Sequence, residues 1–262
     1  MKYIALLVSL FLASKTIAQE DCKELVRKIS ESGFSATEKL HQLDELRSCT
    51  NSASYKYKKS VLLASNRDLQ GALSILENTS DWGELEEHVV LLRAKIYSVS
   101  ATNKEAIEIL DKYLASHNGG ASIHYYKGTL LNSQRKFSEA INSFINSVKV
   151  APNSKSYQAA AVSYYALGQC DNAVSSIDQA ATLDESTFGD LGSMLVMSRC
   201  YAMQGKFVVA SNALKILLQN NPSAEENSDF KEALTSLRAK IAEAKKSGDA
   251  STDAHLVSLR DI

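Results

Sequence analysis

The middle of the chain carries a repeating pattern of small and large apolar residues. Five alanines recur at spacings of 34, 34, 33 and 37 residues: Ala72, Ala106, Ala140, Ala173 and Ala210. A large apolar residue follows each alanine by four positions: Leu76, Leu110, Phe144, Ile177 and Leu214. A small residue precedes each alanine by twelve positions: Ser60, Ala94, Gly128, Ala161 and Ser198. A fixed period of about 34 residues indicates a repeat protein.

Each repeat is predicted to be a pair of α-helices joined by a short turn. Within a repeat, apolar residues recur three and four positions apart, as they do on one face of a helix. The small residue of the first helix faces the alanine of the second helix, so the two backbones approach closely. One pair cannot bury its apolar face alone, whereas stacked pairs bury it between neighbours. The predicted repeats span residues 53–86, 87–120, 121–153, 154–187 and 191–224.

Before the repeats, residues 1–18 have the layout of a secretory signal peptide. Lys2 is followed by a mostly apolar run that ends at Ala13, and a more polar segment then ends at Ala18. A membrane-spanning helix needs about 20 apolar residues, and Lys15 interrupts this run too early. We therefore predict export and cleavage after Ala18. The alternative is an uncleaved anchor.

Residues 19–52 are predicted to form a helical hairpin that is closed by a disulfide. Cys22 begins one helical pattern, and Ser35 with Glu38 forms a capping-box signature for a second helix, which ends near Cys49. In an antiparallel hairpin the start of the first helix lies beside the end of the second. Because exported proteins form disulfides, we predict a Cys22–Cys49 bridge. The alternative is two buried thiols.

Composition and motifs narrow the class of protein further. Only 2 prolines and 11 glycines occur among 262 residues, which is too few turn residues for a β-sandwich or barrel. A net charge of −1 does not favour a nucleic-acid partner. The sequence contains no glycine-rich phosphate loop, no G-x-S-x-G and no H-E-x-x-H motif. We therefore expect a protein that is not an enzyme and that uses no cofactor or metal.

The repeats resemble those of the tetratricopeptide repeat (TPR) family. The clearest copy spans residues 121–153, with Gly128, Ala140 and Pro152 at characteristic positions, and Pro222 ends the last copy in the same register. The tryptophan that is common near the start of this repeat is absent from all five copies. The resemblance implies an all-α, right-handed superhelical solenoid of antiparallel helix pairs with a concave groove. The disulfide-linked hairpin precedes these pairs.

The resemblance also implies where the other two cysteines lie. Cys170 starts the second helix of the fourth repeat, and Cys200 lies near the end of the first helix of the fifth. In a TPR stack these two points are at similar height on neighbouring helices, which predicts a Cys170–Cys200 bridge. The alternative is two buried free thiols. After the last repeat, an amphipathic pattern predicts a C-terminal capping helix over residues 225–247 and a flexible tail over residues 248–262.

In TPR proteins the groove is lined by fixed positions of the first helices. The aromatic, polar and cationic residues that we select at those positions are Tyr57, Lys95, Tyr125, Thr129, Asn132, Gln158, Tyr165 and Arg199. No groove position is acidic, which favours an extended peptide or a helix of neutral to acidic character as the ligand.

The sequence therefore favours one function and keeps one alternative open. We expect an exported module that binds a protein or peptide partner in its groove, in cell-envelope assembly or secretion. The alternative is a structural subunit of an envelope complex that uses its convex face or an edge and has no groove ligand. The periplasm or cell envelope is the expected location, with secretion or the lumen of the endoplasmic reticulum as alternatives.

Overall fold

The structure is a computed structural model that describes residues 19–100, 103–248 and 252–254. The predicted signal peptide and most of the predicted tail lie outside these residues. Within them the chain forms thirteen α-helices, four short 3₁₀ helices and no strand. The prediction of an all-α fold is therefore confirmed.

The chain divides into two compact units between Tyr113 and Leu114. The helices of the first unit are Gln19–Glu31 (α1), Ala36–Glu45 (α2), Ala53–Ser65 (α3), Leu69–Glu77 (α4), Glu86–Val99 (α5) and Asn103–Leu114 (α6), whose last residue crosses the division. Helix α3 packs against α1, α2 and α4, and it also contacts α5. Helix α3 is thus the central element of the first unit.

Helices α1 and α2 form the predicted N-terminal hairpin. The Ser35 hydroxyl accepts a hydrogen bond from the Glu38 backbone N–H, and the Glu38 carboxylate accepts one from the Ser35 N–H, so the capping box is present. Cys22 and Cys49 are bonded, with their Cα atoms 5.5 Å apart. The first predicted disulfide is confirmed, and it lies in a buried cluster with Leu43.

The second unit contains three complete helix pairs and one further helix. These helices are Ala121–Ser133 (α7), Phe137–Val150 (α8), Ser154–Ala166 (α9), Cys170–Leu183 (α10), Leu191–Met203 (α11), Phe207–Asn220 (α12) and Ser228–Ser247 (α13). Helices α7 with α8, α9 with α10, and α11 with α12 pack as pairs, and α13 packs against both helices of the last pair. The helix that follows the repeats therefore covers the end of the helix stack in this unit.

Each pair in the second unit turns through the same backbone conformation. Arg135, Gly168 and Gly205 occupy the same position in their three-residue turns and have φ values of 59°, 72° and 73°. This left-handed conformation is easy for glycine and costs free energy for arginine. The short turns make the paired helices antiparallel.

The repeat positions found in the sequence form the buried contacts between helices. All five alanines of the series are 0% exposed, and the five large residues that follow them are at most 2% exposed. At Gly128 an added Cβ would lie 2.6 Å from a ring carbon of Phe144, so this close approach requires glycine. The alanine and large-residue columns are therefore buried in all five repeats, and in the repeat of Gly128 the small residue lies against the large residue of the second helix.

The second predicted disulfide is also confirmed. Cys170, at the start of α10, is bonded to Cys200, near the end of α11, and their Cα atoms are 5.1 Å apart. Beside this bridge, the Gln204 side-chain amide donates a hydrogen bond of 2.8 Å to the Asp171 carboxylate. Two neighbouring helix pairs are therefore joined covalently and by a hydrogen bond at one edge of the second unit.

Candidate partner-binding face

The first helices of the pairs in the second unit lie side by side. Helix α9 contacts both α7 and α11. We use the term first-helix face for the solvent-accessible residues at the groove positions of α7, α9 and α11, among them Lys155 of α9. Six predicted groove residues belong to these helices, and none of the six is buried: Tyr125, Thr129, Asn132, Gln158, Tyr165 and Arg199. The structure thus brings most of the predicted groove residues onto three adjacent helices.

The two tyrosines of this face are held by apolar packing. The ring of Tyr125 lies 5.8 Å from that of Phe144, centroid to centroid, and is tilted against it by 50°. Tyr165 packs against the buried cluster that contains the Cys170–Cys200 bridge. Both rings are half-buried. They therefore present rigid aromatic surface with little rotational freedom left to lose on binding.

The two amides of the face have structural partners. The Ser163 hydroxyl on α9 donates a 2.8 Å hydrogen bond to Asn132 Oδ1 on α7. Gln158 Nε2 donates a 3.3 Å hydrogen bond to the hydroxyl of Thr187 in the segment between α10 and α11. These contacts fix the orientation of both amides. Sequence reasoning assigned them to ligand binding and did not detect that they also join neighbouring elements.

The cations of the face are Arg199, which is half-buried on α11, and Lys155, which is exposed on α9. No ion pair involves either side chain in the part of the chain that the structure describes. Thr129 is exposed between Tyr125 and Asn132, and its hydroxyl donates to the Tyr125 carbonyl oxygen at 3.0 Å. A carboxylate that approaches Arg199 would gain charge-assisted hydrogen bonds.

A polar pocket of about 360 Å³ lies beside this face. It is open to solvent and is bordered by the N-terminal end of α9, the segment between α10 and α11, and the C-terminal end of α12. Its lining residues are Ser154, Lys155, Gln158, Asp184, Ser186, Gly189, Asp190, Asn220 and Asn221. The predicted groove residue Gln158 and the neighbouring cation Lys155 of the first-helix face therefore border this pocket.

The two carboxylates of this pocket were missed by the sequence analysis. Asp184 accepts hydrogen bonds from Ser186, and these bonds lower the pKa of the Asp184 carboxyl. Asp190 caps α11 by accepting a 2.8 Å hydrogen bond from the Ser193 N–H. Both residues belong to the segment between α10 and α11, which has no periodic pattern of apolar residues. The only sequence signal for either is the N-cap spacing of Asp190 and Ser193 before a helix.

The two predicted groove residues of the first unit lie on α3 and α5. Tyr57 contacts His88 at the start of α5, with ring centroids 6.1 Å apart and ring planes at 73°. Burial raises the pKa of the Tyr57 hydroxyl. Lys95 is exposed on α5. A second cavity of about 570 Å³ in this unit is lined by residues of α1, the start of α3 and the segment before α5, and it includes neither Tyr57 nor Lys95.

The described part of the chain offers no group of three or more His, Cys, Asp or Glu side chains placed to hold a metal ion. No helix within residues 19–100 or 103–248 combines the length and the apolar character needed to cross a membrane.

Comparisons with known proteins agree at the level of the fold. No family model and no curated protein matches the sequence. Among solved structures, the C-terminal part of a TPR repeat-containing protein from Cytophaga hutchinsonii aligns with a TM-score of 0.65 at 14% identity, over 89% of this chain and 90% of that one.

Two further solved structures cover less of the chain. YrrB, described as a TPR protein with an unusual peptide-binding site, aligns with a TM-score of 0.57 at 17% identity, over 77% of this chain and 98% of that one. A MamA fragment from Desulfovibrio magneticus aligns with a TM-score of 0.55 at 15% identity, over 65% of this chain and 96% of that one. The chain therefore has the tetratricopeptide repeat fold.

Proposed function

We propose that this chain is an exported interaction module that binds a peptide or protein partner on its first-helix face. The observation that carries the proposal is the alignment of α7, α9 and α11, which sets partly exposed tyrosines, amides and cations on three adjacent helices. The similarity to YrrB, a TPR protein with a peptide-binding site, supports a peptide as the ligand.

The chemistry of the face favours a partner with carboxylates on one part and hydrogen-bond donors on another. Arg199 and Lys155 suit acidic side chains or a terminal carboxylate. The tyrosines Tyr125 and Tyr165 suit apolar contacts at low entropic cost. Beside Gln158, the Asp184 and Asp190 carboxylates accept donors such as peptide N–H groups or an amine. The expected ligand is therefore an extended segment that is neutral to acidic where it contacts Arg199 and carries hydrogen-bond donors where it enters the pocket.

A charge-reversal experiment tests this proposal. The double variant Lys155→Glu and Arg199→Glu changes the first-helix face, and Lys149→Glu with Lys215→Glu makes the same charge change on the exposed sides of α8 and α12. Proteins recovered from the native compartment with each full-length variant are quantified by mass spectrometry. Circular dichroism checks that each variant keeps its helices.

The proposal expects a partner that is recovered equally with the unchanged chain and with the α8 and α12 control. With the first-helix variant its recovery is expected to fall at least about tenfold, because the loss of two charge-assisted contacts weakens the binding free energy by more than about 1.4 kcal/mol. Equal recovery with all three proteins would contradict binding on this face.

Export rests on the pattern of residues 1–18 and on the two disulfides of the described chain. Disulfides persist in oxidising compartments and are rare in the cytosol. The periplasm or cell envelope remains the favoured site.

N-terminal sequencing of the protein from its source tests the cleavage. The mature chain is expected to begin at Gln19, and a chain that begins at Met1 would contradict the proposed cleavage.

A second candidate function, that of a structural subunit, is supported by exposed apolar side chains. Large apolar side chains are exposed on the second helices of the pairs, including Val150 at 50%, Leu183 at 48% and Val209 at 41%. A structural subunit would use such residues for contacts on the opposite side of the pairs. In the charge-reversal experiment this function predicts loss of the partner in the α8 and α12 variant instead.

A further inference from the structure

The second helices of the three pairs in the second unit begin without a side-chain cap of their own. The residues at their N-cap positions are Lys136, Gln169 and Lys206, and none of these side chains accepts a hydrogen bond from a backbone N–H of the first turn. The first backbone N–H groups of a helix have no partner within the helix. At α12, a residue from the end of the described chain supplies the missing acceptor.

That residue is Asp253. Its carboxylate accepts hydrogen bonds from the backbone N–H groups of Phe207 and Val208, the first two residues of α12. Its own backbone N–H donates to the Gly205 carbonyl oxygen at 3.2 Å. Asp253 is 46 residues distant from Phe207 in sequence. A negative charge is also favoured at a helix N-terminus by the helix dipole.

The residues on either side of Asp253 fit the same place. Ala254 is 2% exposed and belongs to the buried cluster that includes Phe207 and Phe230. Thr252 lies against Gly205, where an added Cβ would approach the threonine methyl group to 2.8 Å. The turn between α11 and α12 therefore contacts backbone and side chains of three successive residues.

We propose that the α11–α12 turn is a binding site for a short peptide motif, an aspartate followed by a small residue, and that this chain's own residues 252–254 occupy it. The two N–H groups of α12 select a carboxylate. The Gly205 carbonyl fixes the backbone of the motif. The closed apolar space around Ala254 admits alanine, glycine or serine and excludes larger side chains.

The occupied site works as an intramolecular competitor. A partner segment with the same motif binds only when residues 252–254 leave the turn, so its apparent affinity falls by the fraction of chains in which the site is free. This site is separate from the first-helix face, because it is formed by a helix N-terminus and a turn. It therefore does not depend on the function proposed above.

A peptide-binding experiment on the full chain tests the proposal. The probe is a fluorescein-labelled peptide with the sequence of residues 250–257, and its binding is measured by fluorescence polarisation. Asp253→Ala removes the carboxylate of the tail and frees the site. Glu243→Ala removes one negative charge from an exposed position of α13 and is the matched control.

The proposal expects the Asp253→Ala chain to bind the peptide about fivefold more tightly than the unchanged chain and the Glu243→Ala chain, which is the scale of a lost N-cap. A peptide with alanine in place of its aspartate is expected not to bind. Equal binding of the peptide to all three chains, or no binding to the Asp253→Ala chain, would overturn the proposal.

Hydrogen exchange provides a second measurement that needs no added peptide. The Phe207 and Val208 amides are expected to exchange at least about fivefold faster in the Asp253→Ala chain, because an N-cap contributes about 1 kcal/mol. In the Glu243→Ala chain their exchange is expected to stay unchanged. Equal exchange of these amides in the Asp253→Ala and unchanged chains would show that the tail does not occupy the turn.

Discussion

Asn132 shows how one side chain of the candidate face serves the fold. Its Oδ1 accepts a hydrogen bond from Ser163, whose hydroxyl is 0% exposed. When a buried hydroxyl loses one of its hydrogen-bond acceptors, the folded state becomes less stable. The position of Asn132 in the repeat predicted that it faces the groove. The periodicity could not predict its hydrogen bond with Ser163, which lies 31 residues away in the sequence.

Asn132→Ala is expected to lower the free energy of unfolding by about 0.5–1.5 kcal/mol, because the Ser163 hydroxyl loses a hydrogen-bond acceptor. The matched control is Thr129→Ala on the same helix, where the hydroxyl is exposed and bonds only within its own helix. It is expected to change stability by less than about 0.5 kcal/mol. Urea unfolding monitored by circular dichroism measures both; equal midpoints for the two variants would contradict the structural role of Asn132.

At the scale of helices, pairing was predictable and the segments between pairs were not. The alanine and small-residue columns repeat at a fixed period, and in the structure every residue of both columns is buried. Asp184, Asp190 and the contact of residues 252–254 with α12 lie outside that period. Sequence reasoning therefore identified the helices and both disulfides, and it missed the carboxylates of the pocket and the docked aspartate.

The Cys170–Cys200 bridge is the strongest connection between the second and third pairs of the second unit. It closes a loop over a sequence separation of 30 residues. Replacing both cysteines by serine is expected to reduce the free energy of unfolding by about 3–4 kcal/mol, because the unfolded chain regains the entropy of that loop.

Thermal unfolding without reductant measures this effect, and the Cys22–Cys49 bridge stays in place in both proteins. The matched control is Ser175→Ala with Ser236→Ala, two exposed helix positions, for which little change is expected. A double-serine variant that unfolds at the same temperature as the unchanged chain would show that the bridge does not stabilise the second unit.

At the scale of the whole molecule, each compact unit presents first helices that contact each other, α3 with α5 in the first and α9 with α7 and α11 in the second. The repeat register assigned the eight candidate residues to these helices. The contacts of Tyr57 with His88 and of Tyr125 with Phe144 come from side-chain packing across helices. Such contacts depend on the geometry of the fold and have no separate signature in the sequence.

The central claim is that a partner binds on the first-helix face. Site-specific photo-crosslinking tests it most directly, with a benzophenone amino acid at Thr129 on α7 or at Asn146 on α8, both exposed positions of one helix pair. After irradiation in the native compartment, the account predicts a discrete crosslinked species from position 129 and none from position 146. Crosslinking from position 146 alone, or the same species from both positions, would contradict it.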